Sequence, residues 1–167
     1  MGVLHYDFKG MLYDEWELDR VYTTGARTIC EADVARYCSL SGDYSPLYTN
    51  ALYAENTVYG RPIAPGGLTF IIANGLDCQT LWVDGSYIGL LDQQMRFLRP
   101  VYVGDTICLT MTPTAKRLSK KPGRGIITYR ICVFNQRDEM VMDGTWVILM
   151  LSLIHISEPT RLRRISY

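Results

Sequence analysis

The segment from Gly66 to Trp82, Gly-Gly-Leu-Thr-Phe-Ile-Ile-Ala-Asn-Gly-Leu-Asp-Cys-Gln-Thr-Leu-Trp, constrains the fold more than any other. Thr69, Asn74, Asp77 and Gln79 interrupt it, so as a helix it is apolar around most of its circumference and has to be buried. Four strand-like runs follow, Tyr87 to Leu98, Val101 to Pro113, Gly125 to Asn135 and Met140 to Met150. Ile107, Leu109 and Met111 alternate with Thr106, Cys108 and Thr110. Ile127, Tyr129, Ile131 and Val133 alternate with Thr128, Arg130 and Cys132, and both runs show the two-faced pattern of an antiparallel sheet. Arg99-Pro100, Val103-Gly104-Asp105, Lys121-Pro122-Gly123 and Gln136-Arg137-Asp138 mark the turns. One buried helix followed by antiparallel strands predicts an α+β fold with the sheet wrapped around the helix.

Upstream, residues 28 to 40 predict a short amphipathic helix, with Thr28 as cap, Glu31 three residues on, Val34, Tyr37 and Cys38 on one face, and an end at Ser41-Gly42. A Pro- and Gly-marked stretch from Gly42 to Gly67 follows, with a helical turn expected at Asn50 to Glu55, and long connections inside compact domains tend to be functional. Lys+Arg and Asp+Glu balance at 17 each, which argues against a general nucleic-acid or membrane-surface binder and points to a small molecule or a second copy as partner. There is no apolar run of about 18 residues and no secretory signal at the N-terminus, so the expected location is the cytoplasm. Cys30, Cys38, Cys78, Cys108 and Cys132 are scattered, form no CxxC pair, and are expected to be buried free thiols rather than metal ligands.

The chain changes style from about Leu151. Ser152 to Arg161 reads as the translation of TCT CTT ATA CAC ATC TCC GAG CCC ACG AGA, and Ile165-Ser166-Tyr167 as ATC TCG TAT, which resembles read-through of a sequencing-library adapter. Residues 1 to 150 are therefore expected to form a single domain and 151 to 167 an artefactual tail outside fold reasoning. On that view His155 is no catalytic candidate, and Arg161, Arg163 and Arg164 are no binding patch. Taking three arginines and Glu158 from 17 and 17 leaves 14 basic and 16 acidic residues, a mildly acidic domain.

Four ordered motifs carry a family likeness: Thr28 to Asp33, Leu40-Ser41-Gly42-Asp43-Tyr44-Ser45-Pro46-Leu47-Tyr48, Tyr59-Gly60-Arg61-Pro62-Ile63-Ala64-Pro65-Gly66, and Met95 to Asp105. Together they resemble the MaoC-like dehydratases, or R-specific enoyl-CoA hydratases, over nearly all of residues 15 to 150. The resemblance implies a hotdog fold, a long helix wrapped by a curved antiparallel sheet, in a homodimer or higher oligomer. It also implies reversible addition of water to a 2-enoyl thioester of coenzyme A, with no other cofactor.

The family's motif is Gly-Asp-x-Asn-Pro-hydrophobic-His, with a His-Gly pair opening the central helix. Asp43 matches the catalytic aspartate and Gly66 the oxyanion glycine, whereas Ser45 replaces Asn, Tyr48 the catalytic His, and Pro65 the His before the glycine. Asp43, Tyr48 and Gly66 are thus the catalytic candidates, and Ser45, Pro65, Gly67 and Arg61 line up as substrate-binding candidates.

Hydration needs a base for water, a donor for Cα, and stabilisation of charge on the thioester oxygen. Gly66 suits the last task because it opens the helix, where N–H groups are free and no Cβ blocks approach; alternatively Gly66-Gly67 only make the turn. Pro65 costs no intrahelical donor there. Asp43 is either the base, sharpened by desolvation in an apolar tunnel, or a brace of its loop. Tyr48 breaks the acid/base pair, because a phenol near pKa ~10 is chiefly a donor whereas imidazole titrates near ~6.5. Three outcomes stay open: Tyr48 donates while Asp43 alone is base, another group substitutes, or catalysis is lost and acyl-thioester binding is kept, alone or beside an active subunit.

His5 is the only histidine before the tail and reads as a surface or dimer-contact residue. Lys116, Arg117, Lys120, Lys121 and Arg124 read as a basic turn, either solvated or facing coenzyme A phosphates, while Arg61 and Arg99 either bind ligand or brace loops. A thioesterase is a further option, since some hotdog thioesterases carry a carboxylate on the central helix, where Asp77 stands.

Overall fold

The computed structural model describes Phe8 and residues 10–153 of the 167-residue chain. His5 and the tail residues His155, Arg161, Arg163 and Arg164 lie outside the described residues.

After a 3-10 turn at Tyr13–Glu15 the chain forms strand β1 (Tyr22–Thr28) and helices α1 (Glu31–Ser41), α2 (Pro46–Thr49), α3 (Ala51–Glu55) and α4 (Gly66–Gln79). Strands β2 (Tyr87–Phe97), β3 (Thr106–Leu118), β4 (Arg124–Asn135) and β5 (Met140–Leu151) follow. They make one antiparallel sheet in the order β1-β3-β4-β5-β2, curved about α4. Register shifts at Thr23/Ala26, Leu90/Asp92, Pro113/Ala115 and Val133/Phe134 are the irregularities that let long strands bend.

Leu68, Ile72, Ala73 and Leu76 of α4 pack into one core with Ile107, Leu109 and Met111 of β3, Tyr129 and Ile131 of β4, and Met142, Trp146 and Ile148 of β5. The sheet presents a single concave face, so burial reaches only one side of α4, and Ile71, Asn74 and Cys78 stay exposed. The helix also stops at Gln79 rather than Trp82, where Thr80 Oγ1 donates to Asp77 O at 2.7 Å.

Several expectations are corrected. Thr28 does not cap α1; it ends β1, with its hydroxyl on that of Thr106 at 2.8 Å. Cys30 is the N-cap, and Asp33, not Glu31, takes the Cys30 N–H at 3.0 Å. That backbone hydrogen bond and the neighbouring Arg27 guanidinium hold the Asp33 carboxyl below its usual range against the opposing effect of burial. The third strand runs from Thr106 to Leu118, because Val101 turns into the core from the preceding loop. Lys116 therefore lies on β3 and not in a turn; its Nζ donates to Trp16 O at 2.7 Å and sits 4.6 Å from the Tyr13 ring centroid. All five thiols are free, but only Cys38 and Cys132 are buried, whereas Cys30 and Cys78 are exposed. At its far end β5 pairs Leu151 with Arg124, and the buried Ser152 hydroxyl donates to Asp14 at 3.1 Å.

Tyr13 covers the backbone of Gly125 so closely that a Cβ there would lie 2.1 Å from the ring. Gly125→Ala is therefore expected to destabilise the fold by about 1–3 kcal/mol, read as a fall in the urea midpoint. An unchanged midpoint would contradict this packing.

Candidate active site

Local hydrogen bonds shape the loop after α1. Gly42 ends that helix at φ 76°, the left-handed region open to glycine, with its N–H on Cys38 O at 2.8 Å. Asp43 Oδ1 accepts from Ser45 N–H at 3.3 Å, and Asp43 N–H donates to Ser41 Oγ at 3.2 Å. Ser45 Oγ then accepts from Leu47 N–H at 3.4 Å and caps α2, which starts with Pro46. Asp43 itself is exposed, so its own chain does not supply the apolar wall that desolvation would require.

Tyr48, on α2, is half-buried against the core. Burial pushes its phenol above the ordinary value, and the charge of Asp43 acts in the same direction, followed by Tyr37, Cys38 and Tyr59. At neutral pH Tyr48 is therefore a protonated donor.

Pro65 precedes α4 with extended backbone and is buried, and its carbonyl accepts from Thr69 N–H at 3.1 Å. Among the described residues the Gly66 and Gly67 N–H groups make no hydrogen bond, and they lie at the positive end of the helix dipole. A Cβ at Gly67 would be 2.3 Å from the Tyr37 hydroxyl and would force it to shift, and one at Gly66 would lie a tight 3.1 Å from the Phe97 ring. Beside Gly66 opens a cavity of about 260 Å³, lined also by Tyr59, Thr69, Phe97, Arg99 and Val101.

The candidates thus fall into two neighbourhoods, Asp43 with Tyr48 and Gly66 with Gly67. Asp43 and Tyr48 do not line the Gly66 cavity, whereas Tyr59 does. Arg61 holds the loop: its guanidinium lies 4.1 Å from the Tyr102 ring centroid, and Tyr102 Oη donates to Tyr59 O at 3.3 Å. Arg99 donates to Met140 O at 2.7 Å while lining the cavity. Asp77 stands eleven residues beyond Gly66 on α4 and lines a different cavity. Sequence reasoning does not assign Tyr37, Tyr59 or Phe97 to the site, although Tyr59 and Phe97 belong to the family-like motifs. No cluster of His, Cys, Asp and Glu able to hold a metal occurs among the described residues, and none of their helices is long and apolar enough to cross a membrane.

A family model for the MaoC like domain matches residues 16–133. The chain belongs to the MaoC-like family. An (R)-specific enoyl-CoA hydratase of Aeromonas caviae is 34% identical to this MaoC-like chain over 118 residues, 70% of the chain and 83% of the relative. The solved structure of the (R)-hydratase from A. caviae superposes with a TM-score of 0.67 at 29% identity, covering 80% of this chain and 96% of that one. A Mycobacterium tuberculosis protein with a double hotdog fold superposes with a TM-score of 0.76 at 23% identity, covering 86% of this chain and 44% of that one. The fold is a hotdog: one helix held in a curved five-stranded antiparallel sheet.

Proposed function

We propose that this MaoC-like protein is a hydratase/dehydratase that adds water reversibly to a 2-enoyl thioester of coenzyme A. The observation that carries the proposal is the Gly66 amide, which opens α4 at the wall of a cavity and, like that of Gly67 behind it, has no partner among the described residues. The similarity to an (R)-specific enoyl-CoA hydratase supports the same reading.

In the proposed reaction the Asp43 carboxylate removes a proton from water as the hydroxide adds to Cβ. Electron density moves to the thioester oxygen, where the Gly66 N–H and the helix dipole hold it. The proton returns from Asp43 to Cα, and the carboxylate is regenerated. Tyr48, kept protonated by burial and by Asp43, orients the water by donating a hydrogen bond. The coenzyme A thioester is substrate, and no further cofactor enters the proposal. Ser45, Pro65, Gly67 and Arg61 act by shaping the loop and the helix start rather than through bonds that change in the reaction.

A homodimer belongs to this reading, because Leu40 on α1 and Ile71 on α4 leave apolar surface exposed in the single chain. One observation favours a second reading, a silent acyl-thioester-binding or partner subunit: Asp43 is exposed and has a phenol where the family has imidazole. The deciding experiment is a spectrophotometric assay with trans-2-butenoyl-CoA. The proposal expects loss of the enoyl absorbance with formation of the 3-hydroxyacyl thioester. An unchanged substrate refutes catalysis by this chain, and release of free coenzyme A thiol replaces hydration by hydrolysis.

A further inference from the structure

A second cavity, of about 520 Å³, lies toward the C-terminal end of α4, within the size range of small-molecule sites. Leu81, Val83, Leu90, Trp146 and Ile148 give it apolar walls. Asp77 also lines it, with only 6% of the residue exposed, and Asp77 Oδ1 is buried without a hydrogen-bond partner among the described residues. A buried carboxylate in an apolar setting is costly, and a donor on a ligand in the cavity lowers that cost.

The sign of the charge is equally plain. Asp77 lines the cavity together with Asp84, which has an interaction partner of its own, and no Lys, Arg or His among the described residues does. The other titratable groups facing Asp77 are Cys78 next to it on α4, Tyr87 on β2 and Tyr129 on β4. Burial raises the Cys78 and Tyr129 groups, so neither carries charge at neutral pH. Among the described residues none of these three groups offsets the Asp77 carboxylate.

We propose that this cavity binds the amine-bearing end of an aliphatic chain, the ammonium donating to Asp77 and the hydrocarbon lying on Leu81, Leu90 and Trp146. Eleven helical residues separate Asp77 from Gly66, a rise of about 16 Å. The same chemistry therefore arrives either as a free alkylamine or as the far end of an acyl chain whose thioester sits at Gly66; only the second source rests on the hydratase reading.

The test titrates the full chain at pH 8 with octylamine and, as an uncharged counterpart, 1-octanol, followed by tryptophan fluorescence since Trp146 lines the cavity. Saturable octylamine binding at least tenfold tighter than octanol is expected, and Asp77→Asn should remove that preference. Absence of saturation, equal affinities, or a preference that survives in Asp77→Asn overturns the proposal. Octylamine added to the hydration of trans-2-dodecenoyl-CoA identifies the source: competitive inhibition assigns the cavity to the acyl chain, and unchanged kinetics beside tight binding assign it to a separate amine. The titration needs no turnover, so amine binding at Asp77 is measured equally well in a chain without hydratase activity.

Discussion

Asp43→Asn is expected to slow hydration of trans-2-butenoyl-CoA by about 100-fold or more, the usual range for removing a positioned general base. Its thermal midpoint should stay close to the parent's. Asp43 is exposed and, among the described residues, makes one side-chain hydrogen bond, from Ser45 N–H to Oδ1, which the asparagine oxygen reproduces. Full activity in this variant would remove Asp43 from the mechanism. Tyr48→Phe, which loses only the hydroxyl, should cost about 10- to 100-fold, the worth of a hydrogen bond to a charged or developing-charge partner. Tyr48→His separates the two readings. If the parent is active with Asp43 alone as base, an imidazole adds a second proton carrier to a working site. If the parent is inert and Tyr48→His turns over substrate, the chain is a binding or partner subunit whose acid/base pair is incomplete.

The strands and helix that form the core are legible in the sequence because burial on one face imposes a period. Ile107, Leu109 and Met111 on β3 and Ile127, Tyr129 and Ile131 on β4 are all fully buried, and each alternates with less buried neighbours over much of its strand. Strand β1 is not legible for the converse reason. It lies at the sheet edge, buries only Tyr22 and Thr24, and carries Gly25 in its middle, so no hydrophobic alternation marks it. The shift of the α1 cap from Thr28 to Cys30 follows, since β1 uses Thr28 to pair with Thr106 and the helix can begin only after the strand ends.

At the site, local chemistry is legible and tertiary geometry is not. Gly42 as a helix stop, Ser45-Pro46 as a cap and Gly66 as a helix opening each follow from one residue's conformational preferences. The placement of Tyr59 in the Gly66 cavity, and of Phe97 at the end of β2 beside Gly66, depends on how distant segments of the chain meet, and no spacing rule encodes it. The exposure of Asp43 is likewise a property of the assembled loop rather than of the motif that contains it.

Asp77 carries the second large effect, on stability. Burial alone pushes its carboxyl from 3.8 up to about 6, and no hydrogen bond or cation among the described residues opposes the shift. Below about pH 4 the group is protonated in both folded and unfolded chains and costs nothing. Between pH 4 and 6 the unfolded chain ionises while the folded chain holds its proton, so stability falls as pH rises. Above pH 6 the full penalty applies, about two pKa units or ~3 kcal/mol. Asp33, Asp105 and Glu139, whose carboxyls are held low by their partners, change stability in the opposite direction as pH falls, so the parent's own profile mixes both effects. The difference between Asp77→Asn and parent isolates the one group. That difference, read from urea midpoints between pH 4 and pH 8, should grow by roughly 3 kcal/mol in favour of the variant. A flat difference would mean that the Asp77 carboxyl has a partner in solution, and a cation held in its cavity would produce that flattening only while it is present.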